Sequence, residues 1–319
     1  MLSLFANENM KLYRRPRTWI LIVLMAAIVL LTGVLMKGHE QPTPANWKQA
    51  LISQNQQLTQ EAAGGARHLA LFGHGKAQLQ VQIQTNDYAI SHNVPPQQPT
   101  GWSFSNQVEQ EAVGVLLTVF VAIIAGDIVA GEFTGGTIKL LLTRAQTRSR
   151  ILLSKYLAVL LFSVVLMAVT LGVSLLVGGG LFGFAGASAP YIYMSATGHV
   201  AQMDMIAYLF ANYGFNSISL LMTVTIAFMI STIFRSSSIA IALSIVSLFI
   251  GNTIVRVLST YTWDKYILFA NTNLAQYFFN GPAISGMTLT FSVVVLAIYF
   301  IVMNGLSWYI FRKRDVALT

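Results

Sequence analysis

Asp127 is the one acid inside an otherwise uncharged apolar stretch, residues 112–130. An acid within a membrane is costly and often marks an ion path. On a helical count, however, it lies only about one and a half turns from Glu132. An ion pair with a base such as Lys155 therefore competes with proton or ion coupling as its role. Asn212, Asn216, Ser219 and Thr223 recur at helical spacing and make one polar stripe. Ser244, Ser247 and Gly251 repeat it on a smaller scale. Such stripes either line a path for a polar solute or hydrogen-bond neighbouring helices. Nucleophilic and metal chemistry find less support. The chain has no cysteine, and its five histidines (His39, His68, His74, His92 and His199) lack paired carboxylates, so neither a catalytic group nor a metal site is expected. Gly73-His74-Gly75-Lys76-Ala77 is the nearest match to a phosphate loop. Ala70 stands where its first glycine belongs and Ala77 where a hydroxyl would hold magnesium, so no nucleotide or other cofactor is expected on this chain.

The composition says what must position these groups. Of 319 residues, 55% are hydrophobic and only 9% charged, and the mean hydropathy is +0.63. A soluble domain carries roughly 25% charged residues, so an ordinary cytosolic enzyme, a disordered tail and a nucleic-acid module are all excluded. The net charge of +8 sits in short clusters between apolar runs, where the positive-inside rule accounts for it. An outer loop without disulfides fits a bacterial plasma membrane.

Six runs are long enough to cross a hydrocarbon core of ~30 Å: residues 18–36 and 112–130, a third from Lys155 to the glycines Gly178-Gly179-Gly180, and then runs within 205–234, 236–255 and 287–311. The first is too long for a cleaved signal and lacks a cleavage site. Ahead of it, Leu2, Phe5, Ala6 and Met10 share one helical face, which predicts a short amphipathic helix on the inner surface, separated from the span by Pro16. Placing both termini in the cytoplasm leaves Lys37, Lys48, Arg67, Lys76, Arg256 and Lys265 outside and the other lysines and arginines inside. Glu109 and Glu111 then read as solvated flanks on the outer side. Residues 266–286 are uncharged and aromatic but carry Asn271, Asn273, Gln276, Asn280 and Pro282, so an interfacial or re-entrant outer segment is expected there rather than a crossing. In the long loop, the alternation around Gln78–Gln84 would suit a strand, but it has no partner strand. Leu79, Ile83 and Ile90 also fit one helical face, and a helical hairpin is expected.

Between the second and third spans lies a stretch unlike a plain linker. Gly135-Gly136 can turn the chain, Thr137 can cap, and Ile138, Leu141 and Leu142 share one face of a short amphipathic helix. The pattern Glu132-Phe133-x-x-Gly136-Thr137-Ile138-Lys139-Leu140-Leu141-Leu142-x-Arg144, followed by Arg148 and by Lys155 at the head of the next span, resembles the type-2 ABC transporter permeases, the bacitracin- and lantibiotic-export branch above all. Ala145 departs from the proline common there. The likeness continues in Asn93-Val94-Pro95-Pro96, in Leu268-Phe269-Ala270-Asn271-Thr272 and in the ending Phe311-Arg312-Lys313-Arg314-Asp315-Val316, and so covers nearly the whole chain.

The residues and the resemblance together give the expectation of an all-α integral membrane protein of six spans: an amphipathic elbow helix at 1–16, a first span at 17–36, an extracellular helical hairpin at 37–110 and a five-span core at 111–319, with both termini cytoplasmic. Within that core the resemblance implies a coupling helix at 132–150, and an outer interfacial segment is read at 260–286. It implies a permease subunit of an ATP-driven exporter that pairs with a second permease and docks on a separate ATPase subunit, which would hold ATP and magnesium. Glu132, Gly136, Thr137, Lys139, Leu141, Leu142, Arg144, Arg148 and Lys155 would then serve docking and coupling. Asn212, Asn216, Ser219, Thr223, Ser244 and Ser247 are the candidates for lining a path. A secondary transporter or channel and a non-transporting sensory permease are the rival readings. The sequence is silent on substrate.

Overall fold

The computed structural model describes residues 1–40, 44, 46–63, 76–96, 98–110, 112–137, 146–258, 261, 263–279, 281, 282, 284 and 286–313. Helix α1 (Leu2–Arg14) ends where Arg15 turns extended, and Pro16 opens α2 (Pro16–Gly38). A residue before proline is pushed out of the helical region, and proline suits a first helical position. The corner is closed by the Thr18 hydroxyl donating to the Leu12 carbonyl at 2.6 Å and the Trp19 indole donating to Tyr13 at 2.7 Å. Leu2, Ala6 and Met10 lie on the exposed side of α1, while Glu8 and Leu12 face the protein. In α2 the buried positions Leu21, Met25, Val29 and Gly33 recur every fourth residue, and Ile20, Leu24, Leu31 and Leu35 on other faces stay exposed. This is the pattern of a helix with one seam on protein and the rest in lipid.

Helices α3 (Trp47–Ala63) and α4 (Lys76–Ser91) pack side by side, with Asn55 donating to Asp87 at 2.7 Å and Asn86 donating to Asn55 at 2.8 Å. Then come α5 (Gly101–Gln110), α6 (Ala112–Asp127), the short α7 (Ala130–Thr134) and the long α8 (Arg148–Phe182). The chain continues through a two-stranded ribbon to α9 (Met205–Ile233), α10 (Ser237–Leu258), α11 (Leu268–Asn271) and α12 (Leu289–Lys313). Five helices are long and apolar enough to cross a membrane, and α5 with α6, bent by 56°, makes a sixth if counted as one span. The chain is therefore a mostly helical, multi-pass membrane protein. α9 is its central helix, with 61% of its apolar window buried inside the protein.

The structure differs from the sequence reading in three places and adds to it in a fourth. The second span, expected at 112–130, is helical over Ala112–Asp127 and is long enough to count as a span only together with α5, which packs on α8 and is bent by 56° from α6. The third span runs through Gly178-Gly179-Gly180 to Phe182 rather than stopping there. The glycines serve contact: a Cβ on Gly178 would stand 2.9 Å from the Gly101 Cα, so the backbones of α5 and α8 meet where side chains would hold them apart. The all-helical expectation misses β1 (Pro190–Met194) and β2 (Val200–Asp204), an antiparallel ribbon in which Tyr191 pairs with Met203 and Tyr193 with Ala201. The 260–286 segment, expected as an interfacial or re-entrant outer segment, also packs into the bundle. Trp263, Tyr266 and Phe278 are exposed, but Asn271 is fully buried, accepting from Ser292 at 2.6 Å and donating to Lys265 and Ile267 carbonyls at 2.8 Å. Tyr277 bonds Ser292, and the Phe269 ring closes on Gly251 of α10.

The glycine contact gives a sign test. Gly180→Ala meets nothing within 4 Å, and in a helix alanine is favoured over glycine by roughly 0.5–1 kcal/mol. Gly178→Ala presses on the Gly101 backbone and on the Phe104 ring at 2.8 Å, an overpacking that costs about 1–3 kcal/mol. Thermal unfolding in one detergent should place Gly178→Ala below the native chain and Gly180→Ala at or above it. Equal behaviour of the two would refute the contact.

Candidate functional site

Two polar sites occupy opposite ends of the bundle. At the end where α1 meets α8, the Lys155 ammonium is 1% exposed and donates to Glu8 at 2.7 Å and to Glu132 at 2.9 Å. Lys11, more open, reaches Glu8 at 3.3 Å and Glu132 at 3.4 Å. The Thr137 hydroxyl donates to the Glu132 carboxylate. Beside this group, Asp127 accepts from Arg15 at 2.7 Å, from Arg17 and from the Ser237 hydroxyl. Asp127 is thus ion-paired, but with the arginines at the α1–α2 corner rather than with Lys155, which takes two carboxylates from α1 and α7. Glu8 is a member that the sequence reading missed.

The backbone is built to hold this group. Between α6 and α7 the chain breaks, and the freed amides of Val129 and Ala130 donate to Ser231 of α9 at 3.1 and 3.0 Å. Helix starts leave such amides unpaired unless a side chain accepts from them. Thr134 donates to the Arg235 carbonyl at 3.2 Å and accepts from the Ser237 amide at 2.9 Å, fastening α7 to the α9–α10 turn. Gly136 then adopts φ +68°, a left-handed conformation open to glycine, and turns the chain. Lys139, Leu141, Leu142 and Arg144 lie in 138–145, outside the described residues. Arg148 already belongs to α8 and donates to the Arg312 carbonyl at 3.0 Å, while Trp308 donates to Ser149 at 2.8 Å. The foot of α8 and the far end of α12 therefore share this end of the bundle with α1.

Of the docking set, then, the structure brings Glu132, Gly136, Thr137 and Lys155 together and places Arg148 at the start of α8. Burial acts to raise the Glu132 carboxyl, but Lys155, Thr137 and Lys11 outweigh it and hold it at about 2, against an ordinary 4.5. A carboxyl held low stabilises the fold above its ordinary value and loses that contribution as the pH falls through the folded one.

At the other end α4, the ribbon, α5, α6, α8, α9 and the segment after α11 line an open cavity of about 830 Å³. Asn212, Asn216 and Ser219 line it. Thr223, Ser244 and Ser247 are not among its lining residues. Thr223 donates to the Ser219 carbonyl at 3.1 Å, Ser244 to Ala240 at 2.7 Å and Ser247 to Ser244 at 2.8 Å, all bonds within their own helices. Ser244 also packs against Gly126 of α6. Glu109, expected as a solvated flank, is half-buried and lines the cavity, accepting from Asn212 at 2.7 Å and from Asn216.

Glu132→Gln removes the charge and keeps the shape. Its loss of thermal stability relative to the native chain should be full above pH 4.5 and shrink as the pH falls toward about 2. A difference that stays constant over that window would contradict the assigned ion pair.

A family model described as "Protein of unknown function (DUF2705)" matches residues 71–317. The chain is 40% identical to "Uncharacterized protein YhcI" of Bacillus subtilis (strain 168) over 322 residues, covering 99% of this chain and 100% of that one. It is 31% identical to "Uncharacterized membrane protein YdbK" of the same organism over 208 residues, 64% of this chain and 80% of that one. With most of its length matched by the family model and a full-length relative at this identity, the chain belongs to the DUF2705 family.

Proposed function

We propose that this chain is the transmembrane permease subunit of an ATP-driven ABC exporter in a bacterial plasma membrane, pairing with a second permease and coupling ATP hydrolysis by a separate ATPase subunit to outward transport of an amphipathic compound. One observation carries the reading. The stretch that resembles a coupling helix is rooted, through Glu132 and Thr137, in buried Lys155 and Glu8. A push on residues 138–145 would thereby reach α1, α7 and α8 together, and through Ser231 and Thr134 also α9 and α10. A loop that served only to set topology has no need of such a foundation. The cavity at the far end supplies a place for cargo, and ATP and magnesium belong to the partner subunit.

A secondary transporter or channel is the second reading, favoured by one feature: Glu109 sits where α5 bends into α6 and carries charge at a broken helix. Dependence of transport on the ATPase subunit rather than on an ion gradient separates the two.

Docking surfaces concentrate their energy in a few anchors. Replacing both Leu141 and Leu142 by Asp should abolish recovery of the ATPase subunit with the tagged permease at matched membrane levels. Asn216→Ala, at the other end of the bundle, should leave that recovery intact and lower transport. Recovery of the ATPase at native yield with the double aspartate variant would overturn the docking role.

A further inference from the structure

We infer that the cavity at the hairpin end binds an organic cation, an ammonium or similar group on an apolar aromatic body, with Glu109 as its counter-charge. The inference deepens the export reading by naming its substrate class; it rests on that reading for the direction of movement and not for binding.

The charge of the site comes first. Among the described residues lining the cavity, Glu109 is the one charged side chain, and no lysine, arginine or histidine faces it. No ion pair among the described residues involves it. Every acid in the opposite cluster, by contrast, has a cation against it. Two amide groups, Asn212 and Asn216, donate to the Glu109 carboxylate and fix its direction, and Asn106 in turn accepts from Asn212 at 3.2 Å and from Gln110 at 3.3 Å. Amide donors orient a carboxylate but leave its charge in place. A half-buried carboxyl held in position with no cation against it among the described residues favours a cationic ligand, whose charge would in turn favour the ionised carboxylate, and disfavours an anionic one.

The walls add the second argument. β1 sends Tyr191 and Tyr193 to one face, because strand residues two apart point the same way. Tyr191 lies 4.1 Å from the Tyr208 ring, and Phe279 completes the group at 4.6 Å from Tyr208 and 5.1 Å from Tyr193. All four line the cavity. Aromatic faces attract a cation through their quadrupole, most strongly where water is excluded. The ribbon thus places two tyrosines in the wall of the cavity.

The remaining chemistry narrows the ligand. A metal ion is disfavoured, since no group of three or more ligating side chains occurs among the described residues. The volume of about 830 Å³ lies in the upper part of the ~300–1,000 Å³ range of small-molecule sites. Gln82, Thr85 and Asn86 of α4 cover one side with neutral polar groups, and Asn86 is steadied by bonds to Gln54 and Asn55 of α3. A carboxylate, aromatic walls and neutral amides together suit an amphipathic cation of drug-like size.

The test uses the purified full chain in nanodiscs, without any ATPase subunit, and two probes of nearly equal shape and opposite charge, tetraphenylphosphonium and tetraphenylborate. Equilibrium dialysis against empty nanodiscs should show saturable binding of the phosphonium and none of the borate. Glu109→Gln should weaken phosphonium binding about tenfold or more, with no change in ATPase recovery. Tyr193→Leu, which leaves Glu109 and its amides in place, should weaken it several-fold and keeps the question open to test if Glu109→Gln fails to fold. No saturable phosphonium binding to the native chain, equal binding of the borate, or unchanged binding in the folded variants would each overturn the inference. Failure of ATPase docking would leave this result standing, and failure here would leave docking untouched.

Discussion

A lysine ammonium closed off from water between two carboxylates sets the terms for one whole end of this protein. Lys155 is 1% exposed and its partners Glu8 and Glu132 are 5% exposed. Breaking such a buried pair by removing one partner costs about 3–5 kcal/mol, because a charge is left without solvent or counter-ion. The consequence is architectural. Lys155 rides on a helix that crosses the membrane, Glu8 on the elbow helix and Glu132 on the short helix after the bent pair, so none of the three elements can leave without stranding the others. Arg15, Arg17 and Asp127 repeat the device one step along, locking the corner of α1 and α2 to the end of α6.

One helix, α9, takes part in both ends. One end of this mostly buried helix supplies Asn212 and Asn216 to the cavity, and the other supplies Ser231 to the amides that open α7. A displacement of α7 therefore acts on the same rigid element that orients Glu109. Under the proposed export role, one helix and a few hydrogen bonds would join the docking end to the cavity.

The sequence carried the spans well, because a run of apolar residues is a local signal and hydropathy reads it directly. It also marked Glu132, Thr137 and Lys155, which the fold assembles. What it hid were pairings across long separations. Glu8 reads as the polar face of a surface helix until buried Lys155 is seen to need it. Asp127 reads as a partner for a base such as Lys155, whereas the elbow brings Arg15 and Arg17 to it from more than a hundred residues upstream. Glu109 reads as a flank because the bend between α5 and α6, which turns it into a cavity, leaves no mark in hydropathy. The ribbon had a signal in Tyr191, Tyr193 and the turn at Gly198, whose φ is +79°, but it adjoins an apolar run and lacks the β-branched pattern of an independent hairpin. The polar stripe split for a related reason: helical spacing puts Thr223 on the face of Asn212 and Asn216, yet the cavity lining ends above it, and Ser244 is spent on packing against Gly126.

The buried ion pair is the joint on which this account turns, and a double-mutant cycle between Glu8 and Lys155 measures it most directly. Glu8→Gln, Lys155→Met and the pair together would be compared with the native chain by thermal unfolding in the same detergent. A coupling energy of about 1–3 kcal/mol is expected for two groups in direct contact within one buried network. Losses that add to within about 0.5 kcal/mol would mean that the elbow helix is not held by this lysine, and would contradict the central claim.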